Sequence, residues 1–223
     1  VADAYLDALQ KRCTHIPVQH ITGVQNFMGL DFMVNEHVLI PRFDTEILVE
    51  EVMKFLHDGF SILDMCTGSG CILLSLLKYS NDCKGLGVDI SAEALAVANT
   101  NKEKLGIEAS FIESNLFEQV TGKYDIIVSN PPYIRSDVIP TLMEEVRDHE
   151  PLLALDGTED GLFFYRKIVA ESPDYLNGGG MLFFEIGYDQ AEDVSRLMEE
   201  AGYKDVTVVK DFAGLDRVVY GRR

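Results

Sequence analysis

Ile62-Leu63-Asp64-Met65-Cys66-Thr67-Gly68-Ser69-Gly70-Cys71 is the stretch on which the fold turns. An apolar strand runs into Asp64, a loop of small residues follows, and a helix starts near Cys71. Gly68 and Gly70 permit backbone angles that other residues avoid and let a ligand approach the main chain. The helix amino terminus offers unpaired N–H groups. Outward from this loop, strands and helices alternate from Phe60 to the end of the chain. Strands are expected at Ser61–Met65, Gly85–Asp89, Ser110–Glu113, Asp125–Ser129, Met181–Ile186, Val206–Val209 and Arg217–Tyr220. Helices are expected near Cys71–Tyr79, Ala92–Leu105, Gly161–Leu176 and Asp189–Ala201. Apolar strands separated by amphipathic helices predict a mainly parallel sheet covered on both faces. No helix separates the last two strands, so that pair is expected to be antiparallel. Before the sheet, residues 3–13 read as the end of a helix, and Gly23–Val34 as a β-hairpin around a glycine turn. Pro41 breaks the chain, and Asp44 is expected to cap a helix running to about His57, with Ile47, Leu48, Val52 and Phe55 near helical spacing.

The chain has 223 residues, 47% hydrophobic and 25% charged, which suits one large domain or one domain with a small attachment. Its formal net charge of −18 repels phosphate backbones and attracts a basic partner, so stable nucleic-acid binding is not expected. Cys13, Cys66, Cys71 and Cys83 form no C-x-x-C pair, and with the scattered histidines they offer no zinc spacing, so no metal is expected. Reduced thiols in a cytoplasmic protein are the simplest reading. No apolar run approaches the roughly 18 residues of a membrane span, and no signal peptide is evident.

Ligands of such sheets bind at the carboxyl ends of the strands, near the point where strand order reverses. In the first loop, Asp64, Cys66, Thr67, Gly68, Ser69 and Gly70 are the candidate contacts. A dinucleotide fold would also place glycines here, but its spacing calls for a third small residue where this chain has Leu73. A carboxylate such as Asp64 can hold the amino group of a methionine moiety, which points to S-adenosylmethionine. The same loop by itself also fits a tight turn without a ligand. Asp89, followed by Ile90, ends the second strand, where an acid accepts both hydroxyls of a ribose; nicotinamide enzymes share that feature. Asp89 or Ser91 capping the next helix is the plainer alternative. After the third strand, Asn115 can bond an adenine edge and Leu116 can pack on its face, although a polar turn has the same composition.

The fourth strand opens into Asn130-Pro131-Pro132-Tyr133. Two prolines stiffen this loop, and neither carries a backbone N–H, so it presents acceptors. That suits methylation of an amide or an aromatic amine, nitrogens whose lone pair is delocalised. The Asn130 side-chain oxygen and the Pro131 carbonyl can hold the two N–H bonds and stabilise charge developing on nitrogen. Tyr133 is expected to stack on the planar group and fix its angle. No general base is assigned. Asn130, Pro131 and Tyr133 are the candidate catalytic residues, and Asn130 through Tyr133, with Pro132, the candidate substrate contacts.

Seven strands with a terminal hairpin match the Rossmann-like class I methyltransferase sheet. Asn-Pro-Pro-Tyr occurs in amino methyltransferases of adenine, of guanine in RNA and of protein glutamine. Leu39-Ile40-Pro41-Arg42-Phe43-Asp44-Thr45-Glu46-Ile47-Leu48-Val49-Glu50 resembles the signature of the release-factor glutamine methyltransferases of the HemK type. Pro17-Val18-Gln19-His20-Ile21-Thr22-Gly23, the hairpin with Phe27, Gly29, Leu30 and Phe32, His149 through Gly157, and Asp160-Gly161-Leu162 are similar to that family too. The resemblance covers essentially the whole chain in order. It implies methyl transfer from S-adenosylmethionine to the glutamine of the Gly-Gly-Gln motif in class 1 peptide chain release factors, in the cytoplasm and without a metal. It carries cofactor contacts onto Cys66–Gly70, Asp89, Leu116 and Asn130, and places Arg42 and Thr45 in a lid near the methionine end. It also implies two domains: residues 1–38, the end of a helical docking domain plus the hairpin, and the catalytic domain, residues 39–223. Three departures bear on cofactor affinity: Cys66 stands where the family usually has Gly, Phe43 where it usually has Pro, and Leu116 where many members have an aromatic residue. The alternatives are a nucleic-acid amino methyltransferase, opposed by the charge; a non-catalytic relative, opposed by the intact Asn130 and Asp89; and a nicotinamide oxidoreductase, opposed by Leu73.

Overall fold

The computed structural model describes residues 2–223. Helix α1 (Ala2–Cys13) and the short α2 (Val18–Thr22) precede a hairpin of β1 (Val24–Phe27) and β2 (Leu30–Met33). Its two-residue turn, Met28-Gly29, has φ of 51° and 72°, the left-handed pair that matches strand twist in a tight hairpin. Helix α3 (Phe43–Met53) leads into the sheet: β3 (Ser61–Met65), α4 (Cys71–Lys78), β4 (Lys84–Asp89), α5 (Ala92–Leu105), β5 (Ser110–Glu113) and β6 (Tyr124–Ser129). Two single turns, α6 (Glu144–Arg147) and α7 (Leu152–Leu155), follow, then α8 (Phe163–Glu171), β7 (Leu176–Glu185), α9 (Ala191–Glu200), β8 (Lys204–Lys210) and β9 (Asp216–Arg222).

The seven-stranded sheet has the order β5-β4-β3-β6-β7-β9-β8. Strands β3 to β7 pair in parallel, and β9 inserts antiparallel between β7 and β8. The expected class I methyltransferase architecture is therefore what the chain adopts. Alternation along the central strands splits the core in two. Leu63, Met65 and Ile127 face α8 and α9 through Tyr165, Ile168, Val194 and Met198. Ile62, Ile126 and Val128 face α3 and α4 through Leu48, Val52, Leu73 and Leu76. Phe27 and Phe32 of the hairpin join this second core, so the hairpin is built into the sheet domain. Leu73 explains the missing third glycine: its Cδ1 lies 2.6 Å from where a Cβ on Gly85 would sit, so the small residue is on the strand rather than the helix.

Some boundaries differ from expectation, each for a local reason. Asp44 does not cap α3; Arg42, in extended backbone, takes the cap position and the helix ends at Met53. Asp44 instead sits in the first turn, where its charge suits the helix dipole and lies 3.5 Å from Arg217. Helix α8 stops at Glu171, because Pro173 cannot continue it, and the chain makes a 3-10 turn at Ser172–Asp174. Strand β7 starts at Leu176, before the expected Met181, and runs through Gly178–Gly180 beyond a register shift against β6.

Candidate active site

Strand order reverses between β3 and β6, and a cavity of about 260 Å³ opens at the carboxyl ends beside that point. Met65–Ser69, Asp89–Ser91, Ser114–Leu116, Asn130 and Pro132 form its base and walls. His37–Leu39, Pro41 and Thr45 close it from one side, Pro151, Leu153, Ala154, Phe163 and Phe164 from the other. Most of these roofing residues carry no ligand signature of their own in the sequence. The one signal for them is the family-like character of residues 39–50 and 149–157.

The base is shaped by backbone constraint. Cys66, Gly68 and Gly70 have φ of 62°, 53° and 79°. A Cβ on Gly70 would meet Phe111, Leu74 and Ala98 at 3.1–3.3 Å, so this glycine serves close packing of helix on strand and does not line the cavity. Asp64 is fully buried behind the loop. Its Oδ2 accepts the Thr67 hydroxyl at 2.6 Å, and its Oδ1 has no hydrogen-bond partner among the described residues. Burial pushes its carboxyl up to about 7. Asp64 is thus not a cavity wall, as the sequence reading expected of an amino-group ligand; it holds Thr67, which is. Asp89 accepts the Gly68 N–H at 2.8 Å on one oxygen and the Ser91 N–H at 3.0 Å on the other. Burial raises its pKa despite those bonds. Ser91 caps α5 by accepting the Ala94 N–H at 3.1 Å, so the capping alternative falls to Ser91 and not to Asp89. Ile90 and Leu116 offer apolar surface, and the Asn115 amide donates to Glu118 at 2.8 Å. An apolar slot over one buried carboxylate, with an orphaned oxygen, and one half-buried carboxylate fits an adenine ring joined to a cationic tail: positive charge there relieves the cost of desolvating those acids.

At the other end, the Ser129 hydroxyl donates to the Met65 carbonyl at 2.7 Å and ties β6 to β3. The Asn130 amide nitrogen donates to the Thr45 hydroxyl at 3.4 Å, which leaves the Asn130 oxygen open. The Pro131 carbonyl takes no hydrogen bond among the described residues. Pro132 lines the cavity; Pro131 and Tyr133 do not. The Tyr133 hydroxyl points inward and donates to Glu185 at 3.3 Å, and its own pKa is pushed up by burial. The stacking expected of its ring is therefore not how this side chain is placed. Its main chain is gripped instead. Gln190 donates to the Tyr133 carbonyl at 3.0 Å, and a Cβ on Gly161 would lie 2.4 Å from the same oxygen. Ile134 and Gly157 pair through their backbones. Glu185 and Gln190 are the residues that motif reading misses, because they come from the end of β7 and the start of α9; Thr45, expected in a lid near the methionine end, here also holds the Asn130 amide.

The fold and this cavity define a class I S-adenosylmethionine-dependent methyltransferase. A family model described as the methyltransferase small domain matches residues 42–148. A structure of a methyltransferase from Pyrococcus furiosus shares the fold at a TM-score of 0.67 and 20% identity, covering 87% of this chain and 89% of that one. The release factor glutamine methyltransferase of Clostridium acetobutylicum is 46% identical over 98% of this chain and 79% of its own length. The release-factor-specific protein-(glutamine-N5) methyltransferase structure from Alicyclobacillus acidocaldarius is 32% identical, with a TM-score of 0.52 over 86% of this chain and 99% of that one. The chain belongs to the release factor glutamine methyltransferase family.

Proposed function

We propose that this chain methylates the side-chain amide nitrogen of the glutamine in the Gly-Gly-Gln motif of class 1 peptide chain release factors, with Asn130 and Pro131 holding the amide. S-adenosylmethionine, when bound, supplies an electrophilic methyl group on a sulfonium. Asp89 is assigned to the ribose hydroxyls, Ile90, Asn115 and Leu116 to the adenine, and Cys66–Ser69 to the methionine end, with Asp64 acting through Thr67. The observation that carries the reading is the orientation of Asn130. Thr45 takes its N–H, so its oxygen faces outward as an acceptor next to the unpaired Pro131 carbonyl. An amide nitrogen is a weak nucleophile because its lone pair is shared with the carbonyl. Two fixed acceptors on its N–H bonds stabilise positive charge as it develops and orient the nitrogen toward the methyl group. With the Tyr133 backbone clamped by Gln190 and Gly161, those acceptors need little rearrangement.

The −18 charge favours a basic protein surface over a phosphate backbone as partner, and release factors are met in the cytoplasm. Among the described residues no helix is long and apolar enough to cross a membrane. Transfer of labelled methyl from S-adenosylmethionine to unmethylated release factor, with adenine-rich DNA and RNA alongside, tests the reading. Label on the Gly-Gly-Gln glutamine is expected. Label on nucleic acid alone would overturn it.

A further inference from the structure

The two walls that close the cavity are tied together by one side chain. Glu150 directly precedes Pro151, Leu153 and Ala154, which form part of one wall. Its carboxylate reaches the other. Oε2 accepts the Ile40 N–H at 3.2 Å, and Oε1 accepts from the Arg42 guanidinium. Ile40 stands between Leu39 and Pro41, both in that second wall. The Glu150 side chain is 1% exposed, and that of Arg42 is 39% exposed. Of the two residues that the resemblance places in a lid, Thr45 lines the cavity, whereas Arg42 does not and grips Glu150 instead. The segment that follows Glu150 is pinned unequally. At its far end, backbone bonds fix it to the catalytic loop: Ile134 donates to the Leu155 carbonyl at 3.0 Å, and Gly157 donates to the Ile134 carbonyl at 2.8 Å. At its near end, further contacts run to the end of α1 and the residues after it: Arg12 with Glu145, His15 with Glu144 at 3.0 Å, and His149 with the Thr14 carbonyl at 3.1 Å. Those two ion pairs are a third or more exposed, and exposed pairs contribute little. Glu150 is the buried tie at that end.

Resting on the cofactor assignment above, we infer that Glu150 is a positioning residue: its pair with Arg42 latches residues 151–154 over bound S-adenosylmethionine and sets the rate at which the cofactor leaves. The cavity lies between the two walls, so parting them opens a way out. Pro151, with φ fixed at −65°, is a stiff link that passes a shift of Glu150 on to Leu153 and Ala154. A buried pair suits this task. Its attraction is largely offset by the hydration that its partners lose, so it holds the walls in register without making release prohibitively slow. The balance changes when one partner goes. Without Arg42, closure buries an uncompensated carboxylate, and the closed state is disfavoured. Parting the walls returns that carboxylate to water. Neutralising Glu150 as well removes the penalty, and a glutamine there still offers an oxygen to the Ile40 N–H.

The test follows how fast labelled S-adenosylmethionine leaves the full chain once excess unlabelled cofactor is added. It compares wild type, Arg42→Gln and the double variant R42Q/E150Q. R42Q is expected to speed release by roughly 10- to 100-fold, the scale for one lost hydrogen bond to a charged group. The double variant is expected to return most of the way to the wild-type rate. The rate is read only on protein that has bound cofactor, so a loss of folded protein cannot mimic either result. R42Q releasing at the wild-type rate would overturn the latch. So would a double variant as fast as R42Q, the pattern of an arginine that touches the cofactor itself. Wild-type protein that holds no cofactor would sink the cofactor assignment and the latch with it. Should the double variant fail to fold, hydrogen exchange of the Ile40 amide decides. With cofactor bound it is expected to quicken in R42Q, and unchanged exchange would rule the latch out.

Discussion

The two halves of the cavity are built in opposite ways. The cofactor half is assembled from consecutive turns after β3, β4 and β5. Its defining bonds stay within one strand–helix–strand unit, from Asp64 to Thr67 and from Asp89 to Ser91 and back to Gly68, 21 residues earlier. The acceptor half has one local motif, Asn130 to Tyr133, whose orientation is set by Thr45, Glu185, Gly161 and Gln190 from four other parts of the chain. The cofactor half can be expected to bind whatever happens at the acceptor half. The reverse does not hold for catalysis, where the nitrogen must be held at a fixed angle to a methyl group.

Substitutions that separate binding from turnover sharpen this contrast. The largest effect is expected from Asn130→Ala. It should cut turnover by roughly 10²–10³, the scale for one preorganised polar contact, and leave cofactor affinity by calorimetry nearly unchanged. Near-normal turnover would remove Asn130 from its assigned role and collapse the distinction between the halves. Asp89→Ala is expected to weaken cofactor binding by about 10- to 100-fold, as for lost hydrogen bonds to a charged group, with kcat at saturating cofactor close to wild type. An unchanged calorimetric affinity would refute the ribose assignment. The smallest effect concerns Cys66, held at φ 62°. Cys66→Gly relieves left-handed strain of about 1–3 kcal/mol, offset in part by glycine's extra freedom in the unfolded chain. A net gain of up to about 1 kcal/mol in urea unfolding is expected, and a loss would show that the thiol's packing outweighs its backbone strain.

Turnover and binding thus map onto different kinds of sequence information. The doubly wound sheet, the cavity at its strand ends and the place of Cys66, Asp89 and Asn130 in its lining are legible because each rests on a local pattern: apolar runs of strand length, glycines that permit positive φ, an acid or amide at a strand end. Leu73 was readable as a departure from dinucleotide spacing, and the structure supplies the reason in Gly85. The helix cap misread at Asp44 shows the limit of such patterns. An acidic residue in the first helical turn serves the dipole whether it caps or not, and the choice fell to Arg42.

By itself, the sequence determined the strand order's raw material, the class of cofactor and the Asn-Pro-Pro-Tyr loop at the end of the fourth sheet strand, since short-range geometry and residue chemistry suffice for these. Only the tertiary structure decided that Asp64 sits behind the cavity and takes the Thr67 hydroxyl, that Tyr133 is anchored inward rather than facing the cavity, and that Glu185 at the end of β7 accepts its hydroxyl. Those outcomes depend on which side chains long-range packing brings together in a water-poor interior, where each buried polar group must find its partner across the fold.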